Sequence, residues 1–174
     1  AMLDCQVAIL ENAIARYAST GEVPGPIGSR HPSITPFEAF ATRDGHLVIA
    51  VGNDPLFGRF CETIGRPELA ADPRFTTNPL RCEHNAELKP ELEAALNSRS
   101  TAEWLQAFEA EGIPCGPIQN VAQVLADPQV AARNMIVTAD DPAVGPLRMA
   151  GNPIKTSAYA DPPTRDPARD LDAD

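Results

Sequence analysis

The chain has 174 residues, 43% hydrophobic and 22% charged, which allows one ordinary domain with a core and some appendages. Together with a mean hydropathy of −0.21, this composition excludes collagen-like, disulfide-scaffold and wholly disordered classes. A net charge of −10, a pI near 4.7 and the lack of any Lys/Arg cluster longer than two residues argue against a phosphate backbone as partner, so no nucleic acid is expected.

Residues 2–18 place Leu3, Val7, Leu10, Ile14 and Tyr17 at spacings of four and three, with alanines between them, which predicts a helix apolar nearly all round. Such a helix needs partners on several sides, so the chain reads as one cut upstream of it. No apolar run approaches the roughly 20 residues of a bilayer span, and Asp4 and Glu11 stand where a signal peptide carries positive charge. No membrane partner is therefore expected. Gly21 ends the helix, and Pro24 to Pro36 reads as a proline- and glycine-rich linker.

Phe37–Thr42 and Leu47–Val51 flank Asp44-Gly45, the pattern of a β-hairpin with a type I′ turn, and the continuously apolar second strand is expected to be buried on both faces. Asp54 followed by Pro55 predicts an N-cap and a helix through Leu56, Phe57, Phe60, Cys61 and Ile64, stopped by Gly65. A short turn around Pro67–Ala71 follows. Leu88, Leu92 and Leu96 predict a helix over 85–97 with Pro90 near its first turn or kinking it. Ser100-Thr101-Ala102-Glu103 is a capping-box sequence that starts a helix burying Trp104, Leu105 and Phe108 and ending at Gly112.

A short helix is expected over 120–126, a second hairpin from Ile136–Thr138 and Leu147–Met149, and a last strand near 154–157. The fold class is thus α+β, with a buried N-terminal connecting helix followed by a small domain of β-hairpins packed on several short helices. Residues 1–36 are read as connecting helix and linker, 37–158 as the small domain, and 159–174 as a disordered acidic tail. The widely spaced Cys5, Cys61, Cys82 and Cys115, without a CxxC, suit free buried thiols and a cytoplasmic location.

The residues alone assemble no catalytic set. Cys82-x-His84 lacks the second pair that a tetrahedral zinc site needs, so no metal is expected. Cys115, in Ile-Pro-Cys-Gly-Pro, reads either as an activated thiol on a tight loop or as a small apolar filler. Arg30-His31-Pro32-Ser33 offers a cation, an imidazole and a hydroxyl for a phosphate or carboxylate, or else is a solvated linker held extended by proline.

The strings AMLDCQVAILENAIARYASTGEVP, GSRHPSITPFEAFATRDGHLVIAVGND, ELAADPRFTTN, TAEWLQAFEAEGIPCGPI and VAQVLADPQVAARNM resemble, in order, successive blocks of class III CoA-transferases, the CaiB/BaiF family. The resemblance covers about residues 1–158, with IPCGPI followed by LADPQV its most specific part; the closing Leu-Gly-Glu-His segment of the family has no counterpart in 159–174. It implies a two-domain enzyme, a Rossmann-like CoA-binding domain and a small α+β domain, whose chains interlock as a homodimer. It also implies that this chain is the C-terminal, small-domain portion, and that acyl-CoA and a carboxylic acid are substrates, with no tightly bound cofactor.

The aspartate that forms mixed-anhydride and thioester intermediates in the family lies upstream of the first block, so Asp4 is not its equivalent and no catalytic residue is expected in this chain. The small domain is implied to close over the acyl end of the site, with Arg30, His31, Ser33, Cys115 and Gly116 as candidate substrate-binding residues. Ser29–Pro36 has no glycine run where the best-characterised transferases of the family carry a glycine-rich loop before the hairpin, which argues against formyl-CoA:oxalate specificity. The 2-methylacyl-CoA racemase branch of the family, and a non-catalytic small-domain module pairing with a separate CoA-binding chain, are the alternatives.

Overall fold

The computed structural model describes residues 1–166, and the chain divides into two units, Ala1–Ile118 and Gln119–Asp174. Helices and two three-stranded sheets make an α+β protein. In the first unit the predicted apolar helix is interrupted at Ile9–Leu10, giving α1 (Met2–Ala8) and α2 (Glu11–Thr20). Neither buries a single residue, so what was expected as a buried helix is exposed: Met2 is 86%, Leu3 72% and Ile9 74% accessible. The apolar pattern finds no shielding surface among the described residues.

The hairpin forms as β1 (Phe37–Ala41) and β2 (His46–Ala50), antiparallel with Phe37 opposite Ala50 and Ala41 opposite His46. Its turn differs from the expectation. Thr42 N–H donates to Gly45 O at 2.9 Å, so Arg43 and Asp44 are the central residues, and neither has the positive φ that a type I′ turn requires. The reason is tertiary: Asp44 accepts from Thr101 N–H at 2.7 Å and Thr101 Oγ1 at 3.0 Å, capping a distant helix start. The second strand is buried on one face only, with Leu47 and Ile49 inaccessible and Val48 and Ala50 half-buried, because helices cover the sheet from the face of Glu38, Phe40, Leu47 and Ile49.

Those helices begin with α3 (Asp54–Thr63), where Asn53 rather than Asp54 is the cap, its Oδ1 accepting from Leu56 N–H at 2.9 Å. Then come α4 (Glu68–Ala71), α5 (Asn78–Glu83), which periodicity did not predict, and α6 (Asn85–Leu96), which carries Pro90 inside it and buries Leu88, Leu92 and Leu96. The capping box at Ser100 and Glu103 starts α7 (Thr101–Ala110), and Gly112 takes φ 64, a conformation glycine adopts without steric cost. Trp104 and Phe108 are buried as expected; Leu105 is half-buried. The chain then returns as β3 (Cys115–Pro117), antiparallel to β2, for the order β1-β2-β3. Phe40, Ile49, Phe57, Phe60, Phe75, Leu92, Trp104 and Phe108 join one core cluster between this sheet and the helices.

The second unit opens with α8 (Val121–Ala126), capped by Asn120 and Gln123, and α9 (Pro128–Ala132), capped by Asp127. The expected second hairpin is present as β4 (Ile136–Asp141) and β5 (Gly145–Ala150), with Asp141 Oδ1 accepting from Ala143 and Val144 N–H in the turn. Gly151 lies where an added Cβ would sit 2.4 Å from Asn134 O, so only glycine fits. The last strand is not at 154–157 but at β6 (Thr164–Arg165), parallel to β4. Lys155 pairs with Asp161, which also receives Arg165 Nη2 at 3.0 Å, so charge neutralisation holds a segment that composition assigned to the tail. The remainder of that tail, 167–174, lies outside the described residues. Among the described residues no helix is long and apolar enough to cross a membrane.

Candidate functional site

The loop from Ser29 to Pro36 runs along the free edge of β1. His31 N–H donates to Phe37 O at 2.8 Å and Ala39 N–H to Ser29 Oγ at 3.1 Å, so the loop partners backbone groups that a bare edge would leave open. The His31 ring stacks on Phe37, centroids 5.1 Å apart and planes within 10°, and its Nδ1 accepts from Ser33 N–H at 3.2 Å. With Nδ1 an acceptor, the neutral imidazole carries its proton on Nε2. Arg30 extends across to α5, where Nη2 donates to Cys82 O at 2.9 Å. Its Nε is buried with no hydrogen-bond partner among the described residues, a condition that costs about 1–3 kcal/mol.

Helix α5 holds this loop from beneath. Asn78 Oδ1 accepts from Thr35 N–H at 3.0 Å while its Nδ2 donates to Ser33 O at 2.8 Å. Arg81, wholly buried, donates from Nε to Thr35 O at 2.7 Å, from Nη1 to Phe75 O at 2.9 Å and from Nη2 to Asp54 Oδ1 at 2.8 Å. Its guanidinium also lies 4.3 Å from the Phe57 ring centroid, a favourable place for a desolvated cation. Asp54, read from the sequence as a helix cap, serves this arginine instead. Periodicity gave no notice of Asn78 or Arg81; the Asn78-Pro79 pair, a helix-start signal, was the available clue.

Cys115 and Gly116 are elsewhere. Cys115 stands opposite Ile49 and Gly116 opposite Val48 on β3, so β1 and β2 separate them from the Arg30–Ser33 loop. At about 4.8 Å per strand spacing, three spacings put the loop and β3 roughly 14 Å apart. The Cys115 side chain packs against the core cluster, and burial, followed by the Glu109 charge, raises its thiol pKa above the ordinary value. A raised pKa keeps the sulfur a thiol rather than a nucleophilic thiolate, which favours the filler reading. Cys82 and His84 also diverge: Cys82 Sγ faces Thr35 Oγ1 at 3.4 Å, and His84 Nδ1 faces Glu87 at 2.9 Å.

What remains together is an arginine, an oriented imidazole and a serine on a braced loop. These are hydrogen-bond donors suited to a carboxylate or acyl oxygen.

This α+β architecture and its ordered sequence blocks place the chain in CoA-transferase family III, whose profile matches residues 1–173; the chain belongs to that family. It is similar to the acetyl-CoA:oxalate CoA-transferase of Acetobacter aceti, 43% identical over 98% of this chain and 43% of that protein. It is also similar to the human succinyl-CoA:glutarate CoA-transferase, 34% identical over 91% of this chain and 36% of that protein. Among solved structures, a CAIB/BAIF family protein from Brucella suis superposes with a TM-score of 0.79 at 35% identity, covering 97% of this chain and 43% of that one. The chain thus spans less than half the length of these relatives.

Proposed function

We propose that this chain supplies the C-terminal, small-domain portion of an enzyme that moves CoA from an acyl-CoA to a carboxylic acid, one of the acids being a dicarboxylate. The family match over residues 1–173 carries the reading, and the Acetobacter and human relatives, each named as a CoA-transferase with a dicarboxylic acid, favour transfer over racemisation. In the full-length protein an aspartate of the large domain attacks the acyl-CoA carbonyl to give a mixed anhydride and CoA thiolate. The thiolate then attacks the aspartyl carbonyl, releasing the donor acid and leaving an aspartyl-CoA thioester. The acceptor carboxylate reverses both steps, so the new acyl-CoA leaves and the aspartate is restored.

Residues 37–158 serve as the small α+β domain, while residues 1–36 belong with the large domain. Arg30, His31 and Ser33 receive the acyl or acid end, and Arg30 Nε, buried without a partner among the described residues, is a donor that a carboxylate oxygen would satisfy. Cys115 and Gly116, across the sheet, contribute packing and strand pairing. The exposed apolar side chains of α1 and α2 meet the large domain or a second subunit. CoA is a substrate, not a resident cofactor, and the free cysteines suit the cytoplasm.

The test is transfer of CoA from succinyl-CoA or acetyl-CoA to oxalate or glutarate, followed by chromatography of the acyl-CoAs. A protein of the relatives' full length should catalyse it and show a CoA adduct by intact mass, while the 174-residue chain alone should do neither. Transfer by the short chain would overturn the placement of the aspartate; no transfer by the long one would overturn the activity.

A further inference from the structure

We infer that Asn78 and Arg81 are positioning residues for the Arg30–Ser33 loop, setting where its donors stand without touching substrate. The inference rests on the substrate-binding reading of that loop. A loop on a sheet edge has many conformations, and holding the Arg30 and His31 donors in one of them requires that its backbone be tied on both sides. Asn78 does this with one side chain, accepting from Thr35 N–H at 3.0 Å and donating to Ser33 O at 2.8 Å, so that Ile34 is bracketed. A short carboxamide carries an acceptor oxygen and a donor nitrogen on one planar group, which suits these two backbone partners. Arg81 Nε takes the remaining Thr35 backbone group, its carbonyl, at 2.7 Å.

The brace is itself fixed to the core. Arg81 is wholly buried, tied to Phe75 O and Asp54 and laid over Phe57 of α3. The next residue, Cys82, accepts from Arg30 Nη2 at 2.9 Å. Geometry therefore passes from α3 through Arg81 and Asn78 to Thr35 and Ser33, and from Cys82 directly to Arg30. Six residues of helix orient the donors of a loop more than forty positions earlier in the chain.

Asn78→Asp keeps the shape and the acceptor but sets a carboxylate oxygen against Ser33 O; Asn78→Ala removes both bonds. Amide hydrogen exchange on the 174-residue chain should show Thr35 exchanging about five- to tenfold faster in Asn78→Ala, the worth of one hydrogen bond, with α6 and α7 amides unchanged. If Asn78→Ala does not fold, Asn78→Asp gives the same reading through release of the Ser33 side and a shift of the His31 ring resonances. In the full-length enzyme both variants should raise KM for the acid several-fold with a smaller change in kcat. Wild-type exchange at Thr35 and an unmoved His31 in folded variants would overturn the positioning role. A loosened loop with unchanged KM would leave the brace intact and overturn instead the assignment of the loop to substrate.

Discussion

A thiol attacks only as its thiolate, so the surroundings of each cysteine decide its chemistry. Desolvation pushes Cys61 up to about 12, and burial raises Cys115, whereas Cys5 is exposed. Ellman's reagent at pH 8 should therefore modify Cys5 first, Cys115 slowly, and Cys61 only when denaturant is added; prompt reaction of Cys61 in the native chain would contradict its place in the core. Asp72 behaves oppositely. The Arg74 side chain, then the Arg74 backbone N–H, hold its carboxyl at about 2 against an ordinary 3.8. A depressed folded-state pKa contributes stability that is present above the unfolded value and lost as pH falls through the folded one. Asp72→Asn should accordingly flatten the dependence of Tm on pH between 3.8 and about 2, and leave its shape above pH 5 unaltered. The candidate loop residues were legible because Arg-His-Pro-Ser is a chemically rich run. Arg81 was not, because a buried arginine is defined by Thr35, Asp54 and Phe75, which lie 46, 27 and 6 positions away.

At the level of elements, local signals were legible where the stabilising partner is itself local, although the cap of α3 falls on Asn53, one residue before the expected Asp54. The capping box is the clearest case: Ser100 Oγ accepts from Glu103 N–H, and Glu103 Oε2 accepts from Ser100 N–H at 2.7 Å. Ser100→Ala should lower stability by about 1 kcal/mol in urea unfolding, with the m-value preserved. The strands of both hairpins were likewise readable from apolar runs on either side of turn residues. The first turn was not, because Asp44 serves the start of α7, 57 positions on, and that bond outweighs the intrinsic Asp-Gly preference. The two short helices α4 and α5 also escaped, being too brief for periodicity to show.

For the whole molecule, stability rests on the core of the first unit. Phe108 is wholly buried, with ring centroids 5.3 Å from Trp104 and 5.6 Å from Phe60, so Phe108→Ala should cost about 3–5 kcal/mol and be visible as a large fall in the urea midpoint. The exposed apolar side chains of α1 and α2 should drive self-association of the isolated chain. Light scattering should show oligomers that the double variant Leu3→Glu, Ile14→Glu reduces to monomer; a wild-type monomer would contradict this.

Composition, period and turn or capping sequences by themselves determined the α+β class, both hairpins and the helix that Ser100 caps, and the order of the sequence blocks carried the family resemblance, since each depends on residues near one another in the chain or on block order. Only the tertiary structure decided that Asp54 pairs with Arg81, that Cys115 faces the core, that β6 pairs with β4, and that α5 braces the Arg30–Ser33 loop. The physical reason is common to all four. Each depends on a partner brought near by folding, and a one-dimensional pattern carries no record of which distant side chain will arrive.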